Sequence, residues 1–377
     1  MRITFWIAWL ALGTAAFAQP HHWTEAEAND WYAKQPWLVG SNFIPSTAAN
    51  QLEMWQAETF DPVAIERELG WAQALGMNTM RVFLHDLLWS KDSSGFEKRI
   101  NAFLKMADKH KIRPIFVLFD SCWDPFPVIG VQRAPRPGVH NSRWVQSPGA
   151  PAMMDPKQDG RLMAYVQGIL TDYAHDKRIL AWDLWNEPDN TNDSSYGKTD
   201  ALNKVALIKV MLPRVFEYAR AAIPDQPLTS GLWRGDWSSP DKLSAVEKIQ
   251  IENSDVISFH NYGNAEDFEK HVQWLQQYHR PILCTEYMAR PQGSTFQAIL
   301  PIAKKYNVAA INWGFVAGKT QTYLPWDSWQ HPYTDRAPDV WFHEVLHPNG
   351  APYNKEETDF IRAIIAQPEP KKKAAHK

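Results

Sequence analysis

From residue 37 onward the chain alternates short apolar runs with amphipathic segments of helical period, and it does so eight times. Runs that read as buried strands cover residues 37–43, 78–84, 112–119, 179–185, 227–232, 255–260, 281–286 and 309–313. Near-continuous apolar runs of this length suit parallel strands covered on both faces. Helical segments fall between most of them, at 61–76, 161–173, 201–222, 266–278 and 295–306, and a last one at 356–365 closes the series. Pro62 suits the first turn of its helix. Ser94 and Glu97 have capping-box spacing, and the helix they would open places Phe96, Ile100, Phe103, Leu104 and Ala107 on one face. Eight strand–helix units without a linker or internal repeat predict an α/β fold, a (β/α)8 TIM barrel in a single domain with extended βα loops. Such a barrel takes on the order of 250 residues, so the 377-residue chain leaves room for long loops and an N-terminal segment. An open doubly wound sheet is the competitor. When it binds a dinucleotide it carries a Gly-rich turn after the first strand, and here Ile44-Pro45-Ser46-Thr47 follows instead.

The remainder of the chain is bounded by composition. A formal net charge of −3 gives no nucleic-acid footprint. Residues 1–18 read as a signal peptide: Arg2 supplies the positive start, 5–12 the apolar core and Ala16-Phe17-Ala18 a small-x-small cleavage site, so the mature protein is expected to begin at Gln19 and to be secreted or periplasmic. No later stretch is apolar enough to span a bilayer. Residues 19–366 form the predicted barrel domain. Residues 367–377, with Lys371-Lys372-Lys373, read as a disordered basic tail. The two cysteines, Cys122 and Cys284, lie on or just after separate strands and are expected as buried or half-buried thiols rather than a disulfide. His343-Glu344-Val345-Leu346-His347 matches the His-Glu-x-x-His zinc pattern, which requires both histidines on one helix face. Pro348-Asn349-Gly350 ends any helix there at once, so no metal is expected.

In a barrel the chemistry sits at the C-terminal ends of the strands. Strand two carries Arg81 and ends near His85. Strand four ends at Asn186-Glu187-Pro188, strand six at His260-Asn261-Tyr262, strand seven at Glu286 and strand eight at Trp313. Glu187 and Glu286 are three βα units apart and face each other across the mouth. A carboxylate at the end of a buried strand is costly unless it is used or paired. Two of them make the acid/base and nucleophile pair that glycosidic bond cleavage needs. A long loop, 120–157, follows strand three and holds Asp120, Trp123 and Trp144; loops of this length are usually functional or disordered, and its tryptophans argue against disorder.

The set of Asn186-Glu187-Pro188, His260-x-Tyr262, Glu286 and Trp313, each at its proper strand, resembles the clan A retaining glycoside hydrolases, and among them the cellulase-like family 5. The resemblance covers most of the mature chain. It implies a double displacement with Glu187 as acid/base and Glu286 as nucleophile. It further implies Asn186 on the sugar 2-hydroxyl, Arg81 and Tyr262 keeping Glu286 ionised, and Trp313 as a sugar platform. An apolar wall such as Trp185 would raise the pKa of Glu187. His260 is either a support or a core histidine. Trp123, Trp144, Trp233 and Trp326 are candidates for outer subsites, and Asp120 and His85 for reaching the substrate. Many family members carry a histidine just after strand three, where this chain has Phe119-Asp120-Ser121-Cys122-Trp123.

The expected substrate is a β-linked oligo- or polysaccharide of glucan, mannan or xylan type. No cofactor, nucleic acid or membrane partner is expected, and the protein is read as a monomer. A glycan-binding barrel without activity is the alternative, and a metal-dependent hydrolase a third reading. Endo or exo action depends on whether the 120–157 and 314–336 loops leave a cleft or close a pocket.

Overall fold

The computed structural model describes residues 20–368. The predicted signal and most of the basic tail lie outside them. Eight strands are present: β1 (Val39–Asn42), β2 (Thr79–Phe83), β3 (Arg113–Asp120), β4 (Ala181–Asn186), β5 (Leu228–Thr229), β6 (Ile257–His260), β7 (Ile282–Glu286) and β8 (Ala309–Asn312). All their pairings are parallel, in the order β5-β4-β3-β2-β1-β8-β7-β6. The ring is completed between β5 and β6 by the Leu232–Phe259 bridge, with His260 N–H donating to Leu232 O at 2.7 Å. The result is the (β/α)8 barrel, nearly closed, that the alternation predicts.

The helices are α1 (Glu25–Ala33), α2 (Gln51–Trp55), α3 (Pro62–Ala74), α4 (Asp86–Lys109), α5 (Ala150–Met154), α6 (Asp159–Tyr173), α7 (Lys204–Ala221), α8 (Ala245–Asn253), α9 (Ala265–Leu275), α10 (Phe296–Tyr306) and α11 (Lys355–Ala366). Four of these, α1, α2, α5 and α8, are additions to the predicted set. The 120–157 loop contains α5 near its end.

Two helix starts differ in how they are capped. The helix placed at Ser94 begins at Asp86, where the His85 imidazole caps it, and it kinks at Asp92. The Asp92 carboxylate then accepts from Gly95 N–H at 2.9 Å, so Asp92, not Ser94, caps the second half. The predicted apolar face holds: Phe96, Ile100, Phe103, Leu104 and Ala107 are all buried. By contrast α8 starts on a true capping box, Ser244 with Glu247. Its buried face includes Glu247 and Gln250, which breaks the apolar periodicity that would otherwise reveal it.

Packing follows the barrel plan. A large cluster between strands and helices includes Trp55, Phe96, Phe103, Phe116 and Trp182. A smaller one under the barrel floor gathers Leu38, Ile115, Leu180, Leu283 and Ile311, and α1 contributes Tyr32 to it, sealing the end opposite the strand termini that matter for chemistry. Gly40 is required where β1 meets β2, because a Cβ there would lie 1.9 Å from Thr79 O. No helix among the described residues is long and apolar enough to cross a membrane.

Candidate active site

The C-terminal ends of the strands open into a cleft of about 500 Å³. Its lining includes Asn186 and Glu187 from the end of β4, His260 and Tyr262 from β6, Glu286 from β7 and Trp313 from β8, together with Trp123. One carboxylate oxygen from each glutamate and a ring nitrogen of His260 lie within 4.8 Å of one another. That is the separation of a retaining pair, about 5–5.5 Å between carboxyl groups, rather than the wider gap of an inverting one.

The two carboxyls are held differently. Glu286 Oε1 accepts from Arg81 Nη1 at 2.8 Å, and its Oε2 accepts from the Tyr262 hydroxyl at 2.7 Å. Arg81 is fully buried, and all five of its N–H donors are used. Nε and Nη2 both reach Asp183 Oδ2, at 3.0 and 2.8 Å. Nη2 also reaches Asn186 Oδ1 at 2.6 Å, and Nη1 reaches Asn42 Oδ1 at 2.9 Å. This fork fixes the guanidinium under Glu286. Burial holds the Glu286 carboxyl above its ordinary value, with the Arg81 charge and the Tyr262 hydroxyl pulling against it.

Glu187 has no cation in direct contact. Its Oε1 lies 2.8 Å from His260 Nδ1, and its Oε2 accepts from Asn190 Nδ2 at 2.6 Å and from the Cys122 thiol at 3.2 Å. Burial raises its pKa, with Asn190, Cys122 and the Arg81 charge opposing. The imidazole of His260 is pushed down to about 4, chiefly by burial, so it is neutral. A neutral ring nitrogen facing a carboxyl can donate to the carboxylate or accept from the acid. Glu187 also sits at φ 41°, left-handed backbone for a residue with a Cβ, a conformation that costs on the order of 1–3 kcal/mol and clusters at functional sites.

Several residues singled out from sequence have other positions. Asp120 does not line the cleft; it is buried beneath it, accepting from Trp144 Nε1 at 2.6 Å, Asn186 Nδ2 at 2.9 Å and Cys122 N at 3.0 Å. Burial pushes its carboxyl up to about 6. Trp144 is a core residue bound to Asp120, not a subsite. His85 serves as the α4 cap and lies outside the lining. Trp185 is fully buried against Phe119, with its Nε1 bonded to Ser121 Oγ at 2.9 Å. Trp123, Trp233 and Trp326 do line the cleft.

Both cysteines are free and buried, as the strand placement predicts. The role of Cys122 was not legible from sequence. It occupies the region after strand three where many family members have a histidine, and it meets Glu187 there. Asp183, Asn42 and Asn190 are likewise additions. Residues 343–347 are not helical, and the His343 imidazole is bonded to Met288 O while His347 packs on Trp341, so the zinc pattern is not formed. Among the described residues the convergent set of possible metal ligands is Glu187, His260 and Glu286 itself.

A parallel barrel with a close glutamate pair across its C-terminal mouth is the architecture of the clan A retaining glycoside hydrolases. Residues 138–331 match the family model for cellulase (glycosyl hydrolase family 5), and the chain belongs to that family. It is therefore an O-glycosyl hydrolase. No curated protein matches the chain by sequence. Among solved structures, it is similar to GH5_18 from Streptomyces cattleya in complex with Manb1-4GlcNAc, with TM-score 0.61 and 14% identity over 89% of this chain and 83% of that one. The exo-beta-1,4-mannosidase Op5Man5 from Opitutaceae bacterium strain TAV5 aligns with TM-score 0.57 and 18% identity, over 87% and 59% of the two chains. The endo-beta-1,4-mannanase of Thermotoga petrophila aligns with TM-score 0.55 and 14% identity, over 89% and 77%.

Proposed function

We propose that the protein hydrolyses β-1,4-linked, mannose-containing oligosaccharides with retention of configuration, using Glu286 as nucleophile and Glu187 as acid/base. The observation that carries the reading is the carboxylate pair within 4.8 Å, one member clamped by a cation and the other not. In the first step Glu187 gives its proton to the glycosidic oxygen while the Glu286 carboxylate attacks C1. The C1–O bond breaks and a glycosyl ester forms. In the second step Glu187 takes a proton from water, the water oxygen attacks C1, and Glu286 leaves as carboxylate.

The surroundings suit these roles. Arg81 and Tyr262 stabilise negative charge on Glu286. Asn186 is oriented by Arg81 on its oxygen and Asp120 on its nitrogen, and its Nδ2 also lies 3.4 Å from Cys122 Sγ, a weak acceptor that a sugar 2-hydroxyl can displace. Trp313 is half-buried against Phe83 and Trp144 and offers a platform for the ring. The mannoside choice is supported by the saccharide and activity names of the similar structures, against the glucan and xylan alternatives. Aryl β-mannoside, β-glucoside and β-xyloside of one leaving group test it: the mannoside is expected to show the highest kcat/KM, with the β-anomer released first by NMR. Preference for another sugar overturns the mannoside assignment, and first release of the α-anomer overturns the double displacement.

A second outcome concerns Cys122. Its thiol donates to Glu187 Oε2, and a hydrogen bond to the charged form lowers a carboxyl pKa. Cys122→Ala removes that bond, so the Glu187 pKa rises further. The alkaline limb of kcat/KM against pH, which reports loss of the acid's proton, is expected to move to higher pH. Cys122→Ser, which keeps a donor, is expected to leave it close to the parent value.

A further inference from the structure

We infer that the enzyme is exo-acting and removes single sugars from the non-reducing end, because three βα loops join into a wall beside the Trp313 platform; the inference rests on the glycosidase reading above.

The loop after β3 and the loop after β8 are sewn together. Asn141 N–H donates to Thr320 O at 2.7 Å, His140 N–H to Ser328 Oγ at 2.9 Å, and Trp329 Nε1 to His140 O at 2.9 Å. The Trp123 and Trp329 rings stack at 5.3 Å with 16° between planes. The same β8 loop then reaches the loop after β4. Gln330 Nε2 donates to Ser194 O at 2.8 Å, and Tyr196 packs edge-on against Trp329 at 5.3 Å. Loops from β3, β4 and β8 thus form one barrier, tied by backbone-directed bonds and aromatic contact, with the Arg136 guanidinium over the Trp329 ring at 5.1 Å.

The position of the barrier fixes which end of a chain it stops. Trp123, one element of it, packs on the same small cluster of Phe83, Val117 and Trp144 as Trp313 does. It therefore stands beside the ring that Glu286 attacks. The other rim is built differently. Trp233 Nε1 donates to Asp189 Oδ1 at 2.7 Å, and Arg234 lies over the Trp233 ring at 4.6 Å while pairing with Asp189 at 3.2 Å. Asp189 is two residues beyond Glu187, so this aromatic ledge adjoins the group that protonates the leaving oxygen. It takes the sugar that departs. A polymer threaded through its middle would have to cross the Trp123–Trp329 barrier, whereas a chain end needs only the pocket. The cleft volume of about 500 Å³ falls within the small-molecule range of roughly 300–1,000 Å³.

The test is product sizing with the intact enzyme on reducing-end-labelled β-1,4-mannohexaose, and on the gluco and xylo hexamers in parallel. The expected early product from the accepted series is the labelled pentamer alone, followed by stepwise loss of single units. A hexamer carrying a 4-O-substituent on its non-reducing terminal sugar is expected to remain uncut. Labelled fragments of several sizes from the start, or cleavage of the blocked hexamer, overturn the inference and leave the glycosidase reading standing. Single-unit loss from the gluco or xylo series in place of manno overturns the mannoside assignment and supports the inference. No turnover of any series overturns both. Replacing Trp329 and Gln330 by Ala together is expected to add mid-chain fragments, with far-UV circular dichroism to check folding; because the parent enzyme's product sizes decide the matter, a variant that does not fold does not affect the outcome.

Discussion

Glu286→Ala is expected to lower kcat on the preferred glycoside by on the order of 10⁶-fold, the scale on which an enzyme loses its covalent nucleophile. The carboxylate is the atom pair on which Arg81 and Tyr262 converge, at 2.8 and 2.7 Å, and the Ala variant leaves those donors in place around a space. Added azide is expected to enter that space and attack C1 from the side Glu286 had occupied, giving the α-glycosyl azide from an activated aryl β-glycoside. Glu187→Ala is expected to behave otherwise. It loses roughly 10²–10⁴-fold on poor leaving groups, the usual contribution of a general acid, and much less on activated ones. Azide then intercepts the glycosyl–Glu286 ester and gives the β-azide. The anomeric configuration of the azide product therefore assigns the roles, and it can be read by NMR. A β-azide from Glu286→Ala, or equal loss on both leaving-group types for Glu187→Ala, would reverse or remove the assignment. A 2-deoxy-2-fluoro glycoside of the preferred sugar should leave its adduct on the peptide containing Glu286.

The second large effect lies beneath the cleft. Arg81→Met is expected to destabilise the protein by about 3–5 kcal/mol, the cost of removing one partner of a buried ion pair and leaving the other uncompensated. Arg81, Asp183 and Glu286 are all buried, with Asp183 and Arg81 fully so. Removing the guanidinium strands two carboxylates in one low-dielectric space. The Glu286 pKa in the folded state then rises further, since the Arg81 charge that favours its ionisation is gone. A carboxyl with a raised folded pKa contributes stability below its unfolded pKa and loses it as pH rises through the folded value. The variant is thus expected to regain more of its stability than the parent does on acidification below neutrality, because Glu286 adds to the carboxyls that burial already raises in the parent. Urea unfolding midpoints across pH measure this. The acid limb of kcat/KM against pH is expected to move upward at the same time, because Glu286 ionises later. Adding Asp183→Asn to Arg81→Met should return part of the loss, and the double-mutant cycle isolates the coupling. A midpoint close to the parent's at neutral pH would show that the pair is not the support its geometry implies.

The barrel was readable because strand runs such as 112–119 must be apolar on both faces and because the face of α4 repeats with helical period. Most boundaries moved by one to three residues, but the helix placed at Ser94 begins at Asp86, where His85 caps it, and only its second half starts near the predicted place, at Asp92. The helix α8 escaped the reading because two of its buried positions are Glu247 and Gln250, whose partners come from elsewhere in the chain: Glu247 Oε1 accepts from Trp237 Nε1 at 3.1 Å, and Gln250 donates to Gly231 O at 2.6 Å. Its Ser244–Glu247 capping box was the available signal. The site showed the same division. Glu187, Glu286, Asn186, Tyr262 and Trp313 were marked by their positions at strand ends. Asp183 carries no such mark, since a strand-borne Asp has no meaning until β2, two strands away in the ring, supplies Arg81.

The sequence by itself determined the fold class, the face on which chemistry takes place and the carboxylate pair, because each of these is written in local period and strand-end position. Tertiary structure alone decided how the pair is differentiated and what the cleft admits. Both depend on contacts between residues far apart in the chain: Cys122 and His260 on Glu187, Arg81 on Glu286, and Trp123 and Ser194 on the β8 loop. Such contacts arise from the ring bringing non-neighbouring strand ends together, and linear spacing holds no record of which side chains will then meet.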